Sequence, residues 1–359
     1  MSSIIPLLQP STTNAEIEAV NKVLRSRWWG QGRIVEQFER KLAARYGYAY
    51  CVTTNSATAA LHLALHVLGI GPGCEVILPA LTFVSTGLAV LYTGATPVFA
   101  DVYPDTLCLD WESAVMQVTD RTCAIMPVDY AGFPAWTGGT LSGSMPIVQD
   151  AAHSCGGTGY GDLVCLSFHP VKNLATGDGG AILTNDADQA DRLRALRWCG
   201  IDRSTWERSE KRYGWDYAIS EIGYKCHWND IQAAIGLAQL ERLDEMNARR
   251  RKIAMRYCDE LRDVVQLPLD SRHHTWHLFP VRVDASRRDS LIDYLGDRDI
   301  SAGVHYKPLT HYPMFSGDVP VTDREWQRLV SLPIFPDMTD EQQWRVICAV
   351  REWANGKDA

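Results

Sequence analysis

No apolar run in this chain reaches the length of a membrane-spanning helix, which argues against a helical span. The first nine residues lack the basic-then-apolar order of a secretory signal, so a soluble, cytoplasmic protein is expected. No two of the ten cysteines stand as C-x-x-C. They are scattered singly from Cys51 to Cys348, a pattern that predicts buried free thiols rather than a disulfide frame or a zinc site. Positive charge is in deficit: the formal net charge of -8 argues against non-specific nucleic-acid binding. Internal repeats and low-complexity linkers are absent. So is a G-x-G-x-x-G after the first strand, which removes the reading of an NAD-dependent enzyme.

What remains is ordinary globular composition, 46% hydrophobic and 22% charged over 359 residues. That length predicts two domains of unequal size, residues 1–245 and a smaller α+β unit at 246–359. A helix is expected over 14–25, capped by Thr13 or Asn14. Short apolar runs then alternate with helical stretches, at 49–53, 75–78, 97–101, 123–128, 146–150, 163–168 and 181–183. Several are apolar throughout, as strands covered on both faces are. The expectation is an α/β fold with a mostly parallel sheet of about seven strands, flanked by helices, whose ligands bind beyond the strand C-termini. Residues 223–261 read as helix, with Arg249–Lys252 as a solvated face. Strands at 277–283 and 301–306 and helices at 289–295 and 340–353 complete the second unit.

The chemistry concentrates around Lys172. Upstream, the run Pro146-Ile147-Val148-Gln149-Asp150 ends a strand in an acid, with His153 three residues on. Ser167 lies five residues before Lys172, and Gly177-Asp178-Gly179-Gly180 follows it. A lone lysine near a strand is usually a surface residue, and Asp150 alone could cap a turn. Together they have the layout of a pyridoxal 5'-phosphate site, where the amine joins the cofactor aldehyde and the acid keeps the pyridine nitrogen protonated. The segment Asn55-Ser56-Ala57-Thr58 opens a helix whose free N–H groups suit a phosphate dianion. Ser167 is a further candidate phosphate contact. Phe83 is a candidate for stacking on the ring, and His153 for touching it. Trp28-Trp29-Gly30-Gln31-Gly32 and His305-Tyr306 are weaker candidates for a sugar-nucleotide site.

These motifs resemble the DegT/DnrJ/EryC1/StrS group of sugar aminotransferases, of fold-type I, over nearly the whole chain. The resemblance covers Asn55–His62, Leu81-Thr82-Phe83, Gln149–His153, Ser167–Gly180, Gly223-Tyr224-Lys225, Asp230–Ile235, Thr275–Phe279, Gly303–Tyr306 and Ser331–Pro336. It looks most similar to enzymes that aminate the 4-keto carbon of nucleotide-linked sugars. It implies Lys172 as the cofactor-bearing lysine, Asp150 as the pyridine partner, Phe83 as the stacking aromatic, and Ala57, Thr58 and Ser167 as phosphate contacts. It also implies L-glutamate as amino donor and a homodimer with shared active sites, in which the segment from Gly223 to Asp230 reaches the neighbour's cofactor phosphate. His227 stands there where Asn or Arg is frequent. Asp129 stands where relatives often have His, and the stretches 134–146 and 156–161 are shorter than usual, departures that fall on the substrate side. Two rivals stay open: a PLP-dependent sugar dehydratase, which the resemblance would give His at position 172, and a non-catalytic regulator on the same fold.

Overall fold

The computed structural model describes residues 4–136, 145–202, 205–209 and 214–356. In chain order its first half runs α1 (Asn14–Ser26), α2 (Arg33–Tyr46), β1 (Tyr50–Thr54), α3 (Ala57–Val67), β2 (Glu75–Pro79), α4 (Val84–Tyr92), β3 (Thr96–Ala100), α5 (Trp111–Met116), β4 (Thr122–Ile125) and β5 (Val148–Asp150). The second half runs β6 (Leu163–Ser167), β7 (Gly180–Thr184), α6 (Ala187–Leu196), α7 (Thr205–Ser209), α8 (Asp230–Leu261), β8 (Phe279–Arg282), α9 (Arg288–Gly296), α10 (Pro320–Trp326), β9 (Leu329–Leu332) and α11 (Asp340–Ala354). All seven apolar runs of the first unit are strands.

Two ladders, β3-β2-β4 and β1-β7-β6-β5, make up the main sheet. Parallel bridges from Ile125 to Ile147 and from Val128 to Asp150 join them side by side. Only β7 runs antiparallel to its neighbours. The strands are apolar on both faces because helices cover both. Val52, Leu163, Cys165 and Ile182 pack with α3, α4 and α6. Cys51, Val164, Leu166, Ala181 and Leu183 pack with α2 and α8. Each fully buried Leu, Ile or Val contributes about 1.5–3 kcal/mol on this account. A separate core gathers Ile253, Tyr257 and Leu261 of α8 with β8, β9, α9 and α11, and takes in Ile5 from the N-terminus. The helix α8 crosses residues 245–246 without a break. Thr13 caps α1 through a capping box with Glu16.

Four expectations need correction. The helix expected from 223 begins at Asp230, where Asn229 caps it. Residues 223–229 are held extended, because Tyr224 and Cys226 N–H groups donate to the carbonyls of Leu196 and Arg197, and Asn55 N–H donates to Cys226 O. The run 301–306 makes one bridge, Gly303 with Ser331, and no strand, because the chain then turns inward and brings Tyr306 against His153. The run Arg249–Lys252 is not simply solvated. Arg250 is buried with Nη1 donating to Ile334 O at 3.0 Å, while Arg249 pairs with Asp340 and Arg251 with Asp270. Finally, Cys74 and Cys123 form a disulfide, since adjacent β2 and β4 bring their Cα atoms to 5.7 Å. Of the remaining thiols, Cys199 is exposed and Cys226, Cys258 and Cys348 are only partly covered. No described helix is long and apolar enough to cross a membrane.

Candidate active site

Asp150 closes β5 at the C-terminal edge of the sheet. Its carboxylate is buried but not bare: Thr86 Oγ1 donates to Oδ2 at 2.8 Å and Ala152 N–H to Oδ1 at 3.1 Å. Thr82 Oγ1 lies 2.7 Å from Thr86 Oγ1 and extends the chain of hydroxyls. Burial raises the carboxyl pKa, while these donors and the charge of Lys172 pull it back. The result is a carboxylate buried at a strand end and held there by two donors.

Lys172 enters from the loop after β6. The loop is fixed at its base: Lys172 N–H donates to His169 O, and Asn173 Nδ2 donates to Asn247 Oδ1 at 2.7 Å and to Thr275 O at 2.9 Å. Part of the side chain is open to solvent, but the amine is surrounded by protein. Burial lowers its pKa to about 8, against the opposing pull of Asp150. About a tenth is therefore the nucleophilic free amine at pH 7, far more than for an ordinary lysine. Its nitrogen lies 3.4 Å from His277 Nε2.

His153 stands beside them. Ala131 N–H donates to Nδ1 at 3.3 Å, and Nε2 meets the Tyr306 hydroxyl at 3.0 Å. Its ring centroid is 4.4 Å from that of His277. Phe83 precedes α4, with its ring exposed and 5.7 Å from Tyr306.

The candidate phosphate cradle is the start of α3. Ser56 caps the helix by accepting from Ala59 N–H at 3.1 Å, and Thr58 Oγ1 meets Ser85 Oγ at 2.7 Å. Ser167, buried at the end of β6, pairs with Gly180 on β7. Gly180 is required here, because a Cβ would come within 2.6 Å of the Ser56 carbonyl and 2.7 Å of Ala57 N. The close approach carries the first turn of α3 onto the strand ends that present Ser167 and Asp150. These residues fit a phosphorylated aldehyde: a buried amine of lowered pKa, a hydrogen-bonded buried acid, and a helix N-terminus with hydroxyls.

The structure thus brings together Lys172, Asp150 and His153, and sets Ala57 and Thr58 on the first turn of α3, Ser167 at the end of β6 and Phe83 just before α4. His227 does not join them within one chain. It packs edge-on against Trp198 at 4.0 Å, and burial with nearby Lys225 and Arg197 lowers its pKa to about 4. Trp28 and Trp29 donate to Gln31 O and Leu24 O, holding their own loop. Asp129 accepts from Ala135 N–H, Tyr160 Oη, Gln149 Nε2 and Ser154 Oγ, so its place is structural. The short stretch 156–161 is pinned by the end of α2 and the turn after it, through Gly156 N–H to Tyr46 Oη at 2.8 Å and Tyr48 Oη to Gly161 O at 2.6 Å. Of the glycine-rich 134–146 stretch, residues 137–144 lie outside the described ones. Sequence reasoning missed Thr86 and His277. His277 sits inside the marked run Thr275–Phe279, and Thr86 lies three residues past the marked Leu81-Thr82-Phe83, on the first turn of α4.

The fold is that of the fold-type I, PLP-dependent transferases, and the lysine amine, the buried acid and the N-terminus of α3 stand at the C-terminal edge of its mostly parallel sheet as the candidate site. The chain belongs to the DegT/DnrJ/EryC1/StrS aminotransferase family, whose profile matches residues 10–351. It is 38% identical to the spore coat polysaccharide biosynthesis protein SpsC of Bacillus subtilis, covering 99% of this chain and 98% of that protein. Among solved structures it is similar to a sugar aminotransferase of Streptococcus pneumoniae in its PMP form, with TM-score 0.91, 28% identity and coverage of 98% and 99%. It is also similar to DesV of S. venezuelae, solved with a ketimine intermediate, with TM-score 0.83, 35% identity and 94% of each chain covered.

Proposed function

We propose that this protein uses pyridoxal 5'-phosphate to move an amino group from L-glutamate to a keto carbon of a nucleotide-linked sugar, a 4-keto-6-deoxyhexose or a 4-keto-pentose. The observation that carries the reading is the pairing of the buried Lys172 amine with the Thr86-bound carboxylate of Asp150, each close enough for its charge to act on the other. Family membership and the sugar aminotransferases among its structural relatives support the sugar as acceptor.

When bound, the cofactor supplies an aldehyde that takes up a primary amine and a ring that spreads negative charge developing at the substrate carbon. Lys172 Nζ anchors it and, once released, moves a proton at that carbon as general acid and base. Asp150 holds the proton on the ring nitrogen. Ala57, Thr58 and Ser167 receive the phosphate, Phe83 covers one ring face, and His153 flanks the ring. Glutamate leaves as 2-oxoglutarate, and the ketosugar takes the amino group in the reverse sequence. The protein works in the cytoplasm as a homodimer, with His227 extending toward the neighbouring copy's cofactor phosphate. Residues 1–245 form the cofactor-binding domain and 246–359 the smaller one. Lysine rather than histidine at position 172 disfavours the dehydratase reading.

Adding the cofactor to the protein is expected to give an absorbance band near the visible edge that glutamate shifts and one of a panel of nucleotide-ketosugars restores. Lys172→Ala is expected to keep the circular-dichroism spectrum and lose all turnover. Appreciable transfer by that variant would refute the reading.

A further inference from the structure

We infer that His277 is a positioning residue that holds the free amine of Lys172 in line for proton transfer, serving as its hydrogen-bond partner in both protonation states. The inference rests on the reading of Lys172 given above and adds the group that governs it. Three independent observations carry it.

The first is placement. His277 Nε2 is 3.4 Å from Lys172 Nζ, and the imidazole is buried. Asp150 acts on the amine through its charge, while its oxygens are engaged by Thr86 and Ala152.

The second is an uncommitted nitrogen. His277 Nδ1 is buried and has no hydrogen-bond partner among the described residues. A charged lysine offers only donors, whereas the neutral amine also has a lone pair to fill. A neighbour able to accept from the charged form and to donate to the lone pair of the neutral form serves both states. His277 can do both by changing tautomer, since nothing pins Nδ1, and the ring gains or loses no net proton. His153 cannot, because Ala131 N–H fixes its Nδ1 as an acceptor and leaves Nε2–H for Tyr306. Burial keeps His277 neutral, and the positive charges of Lys172 and Arg250 act in the same direction, with His153 and His305 facing it as well.

The third is backbone. Trp276 has φ of 52°, in the left-handed region that large side chains avoid. The segment is nonetheless held: Thr275 N–H donates to Gly132 O, Leu278 N–H to Ala131 O, and Asn173, next to Lys172, donates to Thr275 O. A costly turn fastened to the loop of the lysine itself is a means of aiming the next side chain.

The test is competitive acylation of the cofactor-free protein with acetic anhydride across pH, read as labelling of the Lys172 peptide by mass spectrometry. His277→Phe removes the acceptor of the charged form, whose hydrogen bond is the stronger, so the labelling midpoint is expected to fall by about one pH unit. His277→Asn, too short to reach Nζ, is expected to behave likewise, and His277→Gln to restore the midpoint. If Phe fails to fold, the Asn–Gln pair decides. In single turnovers with glutamate the Phe and Asn variants should lose about tenfold or more in rate at unchanged half-saturation. Equal midpoints in all folded variants would overturn the inference. Borohydride reduction of the wild-type protein with cofactor, followed by peptide mapping, separates the two failures. An adduct on Lys172 with equal midpoints sinks only the role of His277, and an adduct elsewhere sinks both.

Discussion

Thr86 shows how much of a site can depend on a residue that need not touch the substrate. A carboxylate buried as deeply as Asp150 tends to neutralise, and a neutral acid cannot hold a proton on a ring nitrogen. The hydroxyl of Thr86, backed by that of Thr82, opposes this. A hydrogen bond to a charged group is worth about 1.5–3 kcal/mol. Thr86→Val, nearly isosteric, is therefore expected to lower kcat about tenfold or more, and Thr86→Ser to recover most of it. Steady-state rates of the two variants check this; a valine variant at wild-type rate would mean the ionised state of Asp150 does not need the donor.

At the scale of the element, Asp129 ties the loop after β4 to β5 and to the short 156–161 stretch, by accepting from four donors. Even so, burial wins, and the carboxyl pKa rises from 3.8 to about 6. A raised acid binds its proton more tightly in the folded chain. Its contribution to stability is thus complete below about pH 4 and is lost as pH rises through about 6, by an amount on the order of 3 kcal/mol. Asp129→Asn is expected to flatten the dependence of Tm on pH in this window. Asp150, raised as well, keeps a remainder. Thermal melts from pH 4 to 7 check this, and an unchanged slope would contradict it.

The same element scale shows what could be seen in the sequence. Strands buried on both faces are marked by continuous apolar runs, so all seven were legible, as was the cap at Thr13. Lys172, Asp150 and Ser167 were legible because each sits at a strand end or in the loop after one. The run 223–229 was not, since its conformation is set by hydrogen bonds to residues 196–197, distant in sequence. Arg250 was missed for a related reason: a basic run reads as solvated until a carbonyl distant in sequence, that of Ile334, comes to meet it. His277 lies 105 residues from the lysine it touches, and no periodicity records that contact.

Across the whole molecule, the site straddles a seam. Phe83 and Thr86 follow β2 in the three-stranded ladder, whereas Asp150, Ser167 and Lys172 belong to the four-stranded one. The two ladders meet through the bridges beside β4 and β5 and through the Thr86–Asp150 hydrogen bond. The Cys74–Cys123 disulfide ties β2 to β4 near the opposite, N-terminal ends of those strands, closing a loop with a sequence separation of 49. By chain entropy such a closure stabilises the fold by about 4 kcal/mol. It touches no group at the site, so its loss acts on unfolding and leaves the chemistry alone. Reductant is expected to lower Tm of the wild type by several degrees, and to leave unchanged a Cys74→Ser, Cys123→Ser double variant that already melts lower. At 25 °C both forms should keep the wild-type kcat, with activity lost on warming in step with their lower melting. Melting that ignores reductant would show that the pair adds nothing to stability. A fall in kcat at 25 °C would show instead that strain at the far end of β2 is transmitted to Thr86.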